Sequence, residues 1–119
     1  MKLKLTGIVS LLLLTCVTVK AVFGVGLVQT QTAAKTKEAK KLFKQKCAKC
    51  HGSDGAGNTT RGLLVGATDL TNPEWHNRVD DERILNSLTH GRGQMPAFDK
   101  KLTNEQLALL TVYVRSFKK

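Results

Sequence analysis

The segment Cys47-Ala48-Lys49-Cys50-His51 places two thiols and an imidazole next to one another in the chain. Two thiols separated by two residues can reach the two vinyl groups of one porphyrin. The histidine that follows can bind the iron from the same side. The segment therefore predicts one covalently attached haem c, with Cys47 and Cys50 as its anchors and His51 as the proximal iron ligand.

Three other chemistries could use the same side chains. A thiol redox pair would not need His51, and it would normally lie in a strand-then-helix setting. A zinc site would need a further ligand, His76 or His90, and an adjacent Cys and His rarely point at one metal. A disulfide between Cys47 and Cys50 would leave His51 without a role. Haem attachment is the interpretation that uses all three side chains.

The N-terminal segment predicts export of the rest of the chain. A short basic stretch, Met1-Lys2-Leu3-Lys4, precedes an apolar run over residues 5–19, which is typical of a secretory signal peptide. A second apolar stretch prolongs this run to residue 28, and about 20 apolar residues are enough for a membrane anchor. We expect residues 1–34 to be a signal peptide or anchor plus a tether. Residues 35–119 would form one exported domain, either periplasmic or held on the outer face of the cytoplasmic membrane.

The charge of the domain indicates the kind of partner it meets. The chain has 19 basic and 9 acidic side chains; three lysines lie in the N-terminal segment, which leaves 16 against 9 and a net charge of +7. A basic surface favours acidic partners and anionic membranes. Nucleic acid is not expected, because no DNA- or RNA-binding motif accompanies the lysines. A solvated helix face is the alternative explanation. The lysines concerned are Lys35, Lys37, Lys40, Lys41, Lys44, Lys46 and Lys49.

Apolar spacing and capping signals predict an all-α domain with three main helices. The first spans 38–49 and delivers Cys47 at its end. The second begins at Asp80-Asp81-Glu82 and ends at Gly91. The third begins with the capping box Thr103-Asn104-Glu105-Gln106. Residues 52–71 are rich in glycine and predict a loop, and no alternating pattern long enough for a sheet is present.

The second axial iron ligand is predicted to be Met95. It is the chain's one methionine besides Met1, and it lies in a glycine-rich loop outside the helical stripes. Pro96 favours an extended backbone at Met95, which helps the loop to present the side chain in one direction. His76 and His90 are the rival ligands. A core-filling role is the other alternative for Met95.

With these residues in view, the chain resembles the small bacterial class I cytochrome c domains over residues 38–117. The segments that carry the resemblance are Leu42-Phe43, Cys50-His51-Gly52, Gly66-Ala67-Thr68-Asp69-Leu70-Thr71, Trp75, Gly93-Gln94-Met95-Pro96-Ala97-Phe98 and the last helix with Tyr113. The resemblance implies a small cytochrome c fold, in which three main helices surround one haem. It also implies that the first and last helices cross near Ala39, Phe43, Leu110 and Tyr113.

The resemblance further implies Met95 as distal ligand and Trp75 as a contact to a haem propionate, with plain packing as the alternative for Trp75. Many relatives carry a proline after the attachment segment, and its carbonyl accepts a hydrogen bond from the proximal histidine. This chain has Arg61-Gly62-Leu63-Leu64 instead, and we expect a carbonyl of that stretch to serve. The iron is expected to be buried among Leu63, Leu64, Leu85, Phe98 and Leu102.

The function implied is that of a monohaem electron carrier between redox proteins, and not that of an enzyme. Two alternatives remain at this point. The domain could be a fixed subunit of an oxidase or dehydrogenase complex. It could also be a haem sensor or small peroxidase with an open iron site, although Met95 argues against an open site.

Overall fold

The computed structural model describes residues 30–119. The predicted signal peptide or anchor falls almost wholly outside these residues. Contacts divide the chain between Ala34 and Lys35, and the unit described below is Lys35–Lys119. Within the described part of the chain, no helix is both long and apolar enough to cross a membrane.

The described residues form six helices and no strand, which confirms the all-α prediction. Helix α1 is helical from residue 30 to 46, and α2 follows after a one-residue break at Cys47. The remaining bounds are α2 Ala48–His51, α3 Thr60–Val65, α4 Pro73–Arg78, α5 Asp81–His90 and α6 Asn104–Arg115.

The second and third predicted helices correspond to α5 and α6. Asp80 precedes α5, and its carboxylate accepts a hydrogen bond from the Arg83 backbone. At the start of α6 the capping box is complete: the Thr103 hydroxyl accepts from the Gln106 backbone, and the Gln106 side chain accepts from the Thr103 backbone. Both helices therefore begin where short side chains satisfy backbone donors that the helix itself leaves unpaired.

The segment 52–78 is more helical than the sequence predicted. A loop was expected over 52–71, but α3 lies within it, and α4 follows immediately. The Thr59 hydroxyl accepts a hydrogen bond from Gly62 at the start of α3. The Asn72 side chain caps α4, with Pro73 in its first turn. These capping residues outweigh the glycine content of the segment.

The apolar core lies where α1 meets α6. Phe43 is 2% exposed, and its ring lies 5.4 Å from the ring of Tyr113 and 4.9 Å from that of Phe117. At the same contact the Gln106 amide donates to the Glu38 carboxylate across 3.2 Å. The predicted contact between the first and last helices is thus present. Through this contact the end of α1, with Cys47 next to it, packs against the apolar core.

Candidate functional site

His51 is the last residue of α2, and one of its two ring nitrogens forms a hydrogen bond within the described part of the chain. Its Nδ1 lies 3.1 Å from the Thr68 carbonyl oxygen. Because a carbonyl can only accept, Nδ1 carries the proton, and the lone pair of Nε2 is left for another partner. Burial lowers the pKa of His51 below 6.5, and the hydrogen bond to Thr68 opposes this only in part. The imidazole is therefore neutral and oriented, as a metal ligand must be.

The carbonyl that orients His51 differs from the predicted one. The prediction placed it within residues 61–64, but Thr68 supplies it. The Gly62 carbonyl, at the centre of that stretch, already accepts from the backbone of Gly66 and Ala67 at the end of α3. The Gly62 carbonyl is thus used by α3 itself. The acceptor for His51 comes instead from the non-helical segment that follows α3. A backbone acceptor has no side-chain signal, so the sequence could not identify it.

Helix α3 is fastened directly to the Cys-x-x-Cys-His segment. The Thr59 hydroxyl lies 2.9 Å from the carbonyl oxygens of both Lys49 and Cys50. A Cβ atom added to Gly62 would lie 2.2 Å from the Cys50 oxygen and 2.3 Å from the Gly57 oxygen. Only glycine allows so close an approach between α3 and this segment.

Cys47 and Cys50 are free thiols that line the same cavity as His51. Burial raises the pKa of Cys47 to about 11, with a smaller contribution from Cys50. A thiol redox pair needs a thiolate at neutral pH, so this environment disfavours that alternative. A zinc site also lacks support, since among residues 30–119 no three His, Cys, Asp or Glu side chains are placed so that they could hold one metal ion.

The cavity beside these residues has a volume of about 610 Å³, within the usual range for cofactor sites. Its apolar lining comes from α1, α3, α4, α5 and α6 and from the non-helical segments that follow α3, α4 and α5. The larger apolar residues that line it are Phe43, Val65, Leu70, Trp75, Val79, Ile84, Leu88, Met95, Phe98 and Val114.

Met95 reaches this cavity from a tight turn. The backbones of Arg92 and Met95 exchange two hydrogen bonds of 3.0 Å, and Gly93 between them has φ +57°, a conformation that favours glycine. The turn presents the half-buried Met95 side chain to the cavity. His51 and Met95 thus share one cavity, as the sequence predicted.

The two rival histidines lie elsewhere. His90 is exposed and does not line the cavity. His76 is buried, but it lies outside the lining and both of its ring nitrogens are engaged, one by the Leu70 carbonyl and one by Arg115. Neither imidazole is available to an iron in the cavity.

The predicted burial of the iron by leucines is largely wrong. Leu63 and Leu64 are 70% and 82% exposed, because α3 turns them outward and Val65 inward. Leu85 is also on the surface, and Leu102 is buried in the core without lining the cavity. Of the five residues proposed, only Phe98 lines it.

The charged side chains that line the cavity, called here the cationic rim, are all basic. The lining includes four basic side chains and no aspartate or glutamate. None of these four side chains has a hydrogen-bond or ion-pair partner among the described residues. Trp75 lies in the same lining, with its ring edge-on to that of His76. The sequence analysis missed the arginines of this rim, which stand apart from the lysine run. The four residues are Lys46, Arg78, Arg83 and Arg92.

Comparison with known proteins shows which families this chain is similar to. The family model described as "Cytochrome C oxidase, cbb3-type, subunit III" matches residues 34–114. The cbb3-type cytochrome c oxidase subunit CcoP of Azospirillum brasilense is 34% identical over 85 residues, 71% of this chain and 29% of that protein. Cytochrome c6 of Aphanizomenon flos-aquae is 36% identical over 73 residues, 61% of this chain and 79% of that protein.

A solved structure has a similar fold. The structure titled "KustC0563 c-type cytochrome" superposes with a TM-score of 0.65 at 39% sequence identity, covering 68% of this chain and 98% of that one. The coverage of the relatives is uneven, because the chain spans less than a third of the CcoP length but most of the cytochrome c6 length.

Proposed function

This chain belongs to the family of cytochrome c oxidase, cbb3-type, subunit III, and we propose that it uses Cys47, Cys50, His51 and Met95 to hold its haem. It is a c-type cytochrome, an electron carrier with covalently bound haem c. When bound, the haem supplies one iron that changes its oxidation state by one electron. The roles of the individual residues are the subject of the proposal.

The observation that carries the proposal is the pairing of His51 with the cavity. A neutral imidazole, fixed through Nδ1 by the Thr68 carbonyl, has its Nε2 lone pair free. Two thiols line the same cavity, as covalent attachment at two points requires. Met95 lines it as well and offers a thioether as second axial ligand. The donor set fits haem c.

The apolar lining has a separate role. Leu70, Ile84 and Leu88 are each at most 6% exposed, and together they keep water from the cavity floor. A dry apolar site disfavours the more highly charged oxidised iron, and a thioether ligand favours the reduced form. Both effects raise the reduction potential.

The cationic rim suits the two carboxylates of a haem. Arg78, Arg83 and Arg92 have no partner among the described residues, so each can pair with a carboxylate without breaking a contact. The Trp75 indole offers a further donor from the same lining. We assign the propionates to this rim, with Trp75 as one of their contacts.

The partners are proposed to be redox proteins with acidic docking surfaces. All seven lysines of residues 35–49 are exposed, and Lys46 also lines the cavity. Such a field speeds encounter with an acidic partner and weakens as salt rises. Electron transfer to an anionic metal complex should therefore slow with ionic strength, whereas transfer to a cationic complex should not.

We place the domain on the exported side of the cytoplasmic membrane, since residues 1–34 resemble a signal peptide or an anchor. Mass spectrometry of the protein recovered from its native host would give both the mature N-terminus and the mass added by haem. A start beyond residue 19 would show cleavage, and retention of Met1 would show an anchor.

The direct test of the attachment replaces Cys47 and Cys50 by Ser. We expect no haem to remain bound through acid extraction, because no covalent bond would hold it. A matched control, Ser53→Ala, alters a neighbouring exposed residue and should leave attachment unchanged. Haem that survives extraction from the double variant would contradict the assignment.

A second candidate, favoured by the relatives named CcoP, is a fixed role within an oxidase complex. The residues at the haem would be the same, and only the mobility of the carrier would differ. Oxidase activity that comigrates with the tagged chain on a native gel would support the fixed role. A haem-bearing chain that migrates alone would support the mobile carrier.

A further inference from the structure

A buried imidazole, that of His76, lies directly behind one wall of the cavity. His76 is 5% exposed and does not line the cavity. Its Nε2 lies 2.7 Å from the Leu70 carbonyl oxygen, and its Nδ1 lies 3.3 Å from an Arg115 guanidinium nitrogen. The carbonyl only accepts and the guanidinium only donates, so Nε2 carries the proton and Nδ1 accepts. The ring is thus neutral and bonded on both sides.

Arg115 extends this contact over three elements. From the last turn of α6 its guanidinium donates to the backbone carbonyls of His76 and Val79, in addition to the His76 ring. It also pairs with the Asp81 carboxylate at 2.6 Å. The clamp, defined here as His76 with Arg115, therefore joins α6 to the C-terminal half of α4 and to the first turn of α5.

The residues that the clamp holds are those of the cavity wall. Leu70 and Val79 line the cavity, and each gives its carbonyl to the clamp. Trp75 lines it too, and its ring stands edge-on to the His76 ring at 4.8 Å. Three of the wall's apolar side chains therefore depend on a cluster that never touches the cavity.

We propose that His76 and Arg115 are positioning residues that keep this wall closed over the haem and so maintain a high reduction potential. This inference rests on the proposed function. If the clamp is lost, two bonds still join this region to the chain end that follows α6: Lys118 to the Asn77 side chain, and the Lys119 backbone to the Thr71 carbonyl. Neither Asn77 nor Thr71 lines the cavity, so these bonds do not hold the wall residues themselves. Water then enters beside Trp75, and a wetter site favours the oxidised iron. The potential falls although every iron ligand is intact.

The test uses the haem-loaded protein with two conservative changes. His76→Gln replaces the ring, which holds its donor to Leu70 and its acceptor for Arg115 in a fixed geometry, by a flexible amide. Arg115→Lys keeps the charge but loses the multiple donor geometry. We expect each to lower the equilibrium constant for reduction at least tenfold, which is about 59 mV for one electron. His90→Gln and Arg61→Lys change exposed residues of the same kinds and should leave the potential unchanged.

A milder variant keeps the test decisive if His76→Gln does not fold. Asp81 is 69% exposed, so Asp81→Asn should fold, yet it frees the guanidinium from its carboxylate. Loss of a negative charge by itself would raise the potential, as Glu82→Gln measures. A lower potential in Asp81→Asn than in the wild type would support the clamp. An unchanged or higher one would contradict it.

The outcomes separate the clamp from the proposed function. Reduced unfolding stability with a wild-type potential in His76→Gln or Arg115→Lys would show a purely structural role and overturn the inference. A wild-type protein that carries no covalent haem would overturn the proposed function instead.

Discussion

The half-buried imidazole of His51 and the buried imidazole of His76 differ in one respect that underlies the roles proposed for them. At His51, the protein engages one ring nitrogen through Thr68 and leaves the other facing a cavity. At His76, the protein engages both nitrogens and leaves no lone pair free. Both rings are neutral and both meet a backbone carbonyl. The number of engaged ring nitrogens distinguishes the proposed ligand His51 from the proposed positioning residue His76.

The two sites are linked by one short stretch of chain. Thr68 bonds His51 and Leu70 bonds His76, while the carboxylate of Asp69 between them bonds the Thr71 hydroxyl at 2.7 Å and its backbone at 2.8 Å. The same extended segment thus serves the proposed iron ligand on one side and the clamp on the other.

The largest expected effect comes from replacing each of the two histidines, His51 and His76, by glycine. His51→Gly should abolish the axial nitrogen ligand, and added imidazole should restore the wild-type absorption spectrum by binding in the space that the side chain left. His76→Gly leaves a similar space, but imidazole there should not change the coordination of the iron. If instead His76→Gly loses the ligand spectrum and imidazole restores it, the two assignments are reversed.

Met95→Ala tests the second proposed iron ligand. Loss of the thioether removes the ligand that favours reduced iron, so the reduction potential should fall substantially, by about 59 mV or more. The open position should also bind added imidazole. A redox titration measures the first effect and absorption spectroscopy the second. An unchanged potential would remove Met95 from the iron.

Gly62→Ala should disturb the packing of α3 on the segment that contains His51, and it should leave the contacts of His76 unchanged. The new Cβ would clash with two backbone carbonyls, which cannot move as a side chain can, so we expect unfolding to become easier by about 3 kcal/mol. Gly66→Ala is the control: its φ is +64° but nothing lies within 4 Å, and the backbone strain costs about 1–2 kcal/mol. Denaturant titration compares them, and equal losses would contradict the close approach of α3.

The smallest effect concerns the linking segment. Hydrogen bonds from the Thr71 hydroxyl and backbone lower the pKa of Asp69 below 3.8. Its stabilising contribution is therefore present above about pH 4 and is lost as the pH falls through the lowered pKa. Asp69→Asn should flatten the acid limb of the stability profile below about pH 4. A profile as steep as that of the wild type would show that Asp69 does not link the sites.

The sequence was sufficient where side-chain chemistry carries the signal. The Cys-x-x-Cys-His segment, the methionine in its glycine-rich turn and the capping box of α6 are all patterns of side chains, and the structure brings the first two to one cavity. The haem and the family were also predicted correctly.

The failures share a physical cause. The acceptor for His51 is a backbone carbonyl, and Arg115 clamps His76 across 39 positions of chain, so neither has a local pattern. Leu63 and Leu64 were expected inside because they are apolar, but the phase of a short helix decides which side faces the cavity. Capping by Thr59 and Asn72 was overlooked because the surrounding glycines indicated a loop.

The central claim is that His51 and Met95 hold the iron while His76 does not. Proton NMR of the reduced protein tests it in one spectrum, since the porphyrin ring current shifts the protons of axial ligands far upfield. The chain has three histidines and two methionines, so the signals can be assigned by single substitutions. We predict upfield shifts for the His51 ring and the Met95 methyl group alone. An upfield-shifted His76 ring, or a Met95 methyl group at its ordinary position, would contradict the account.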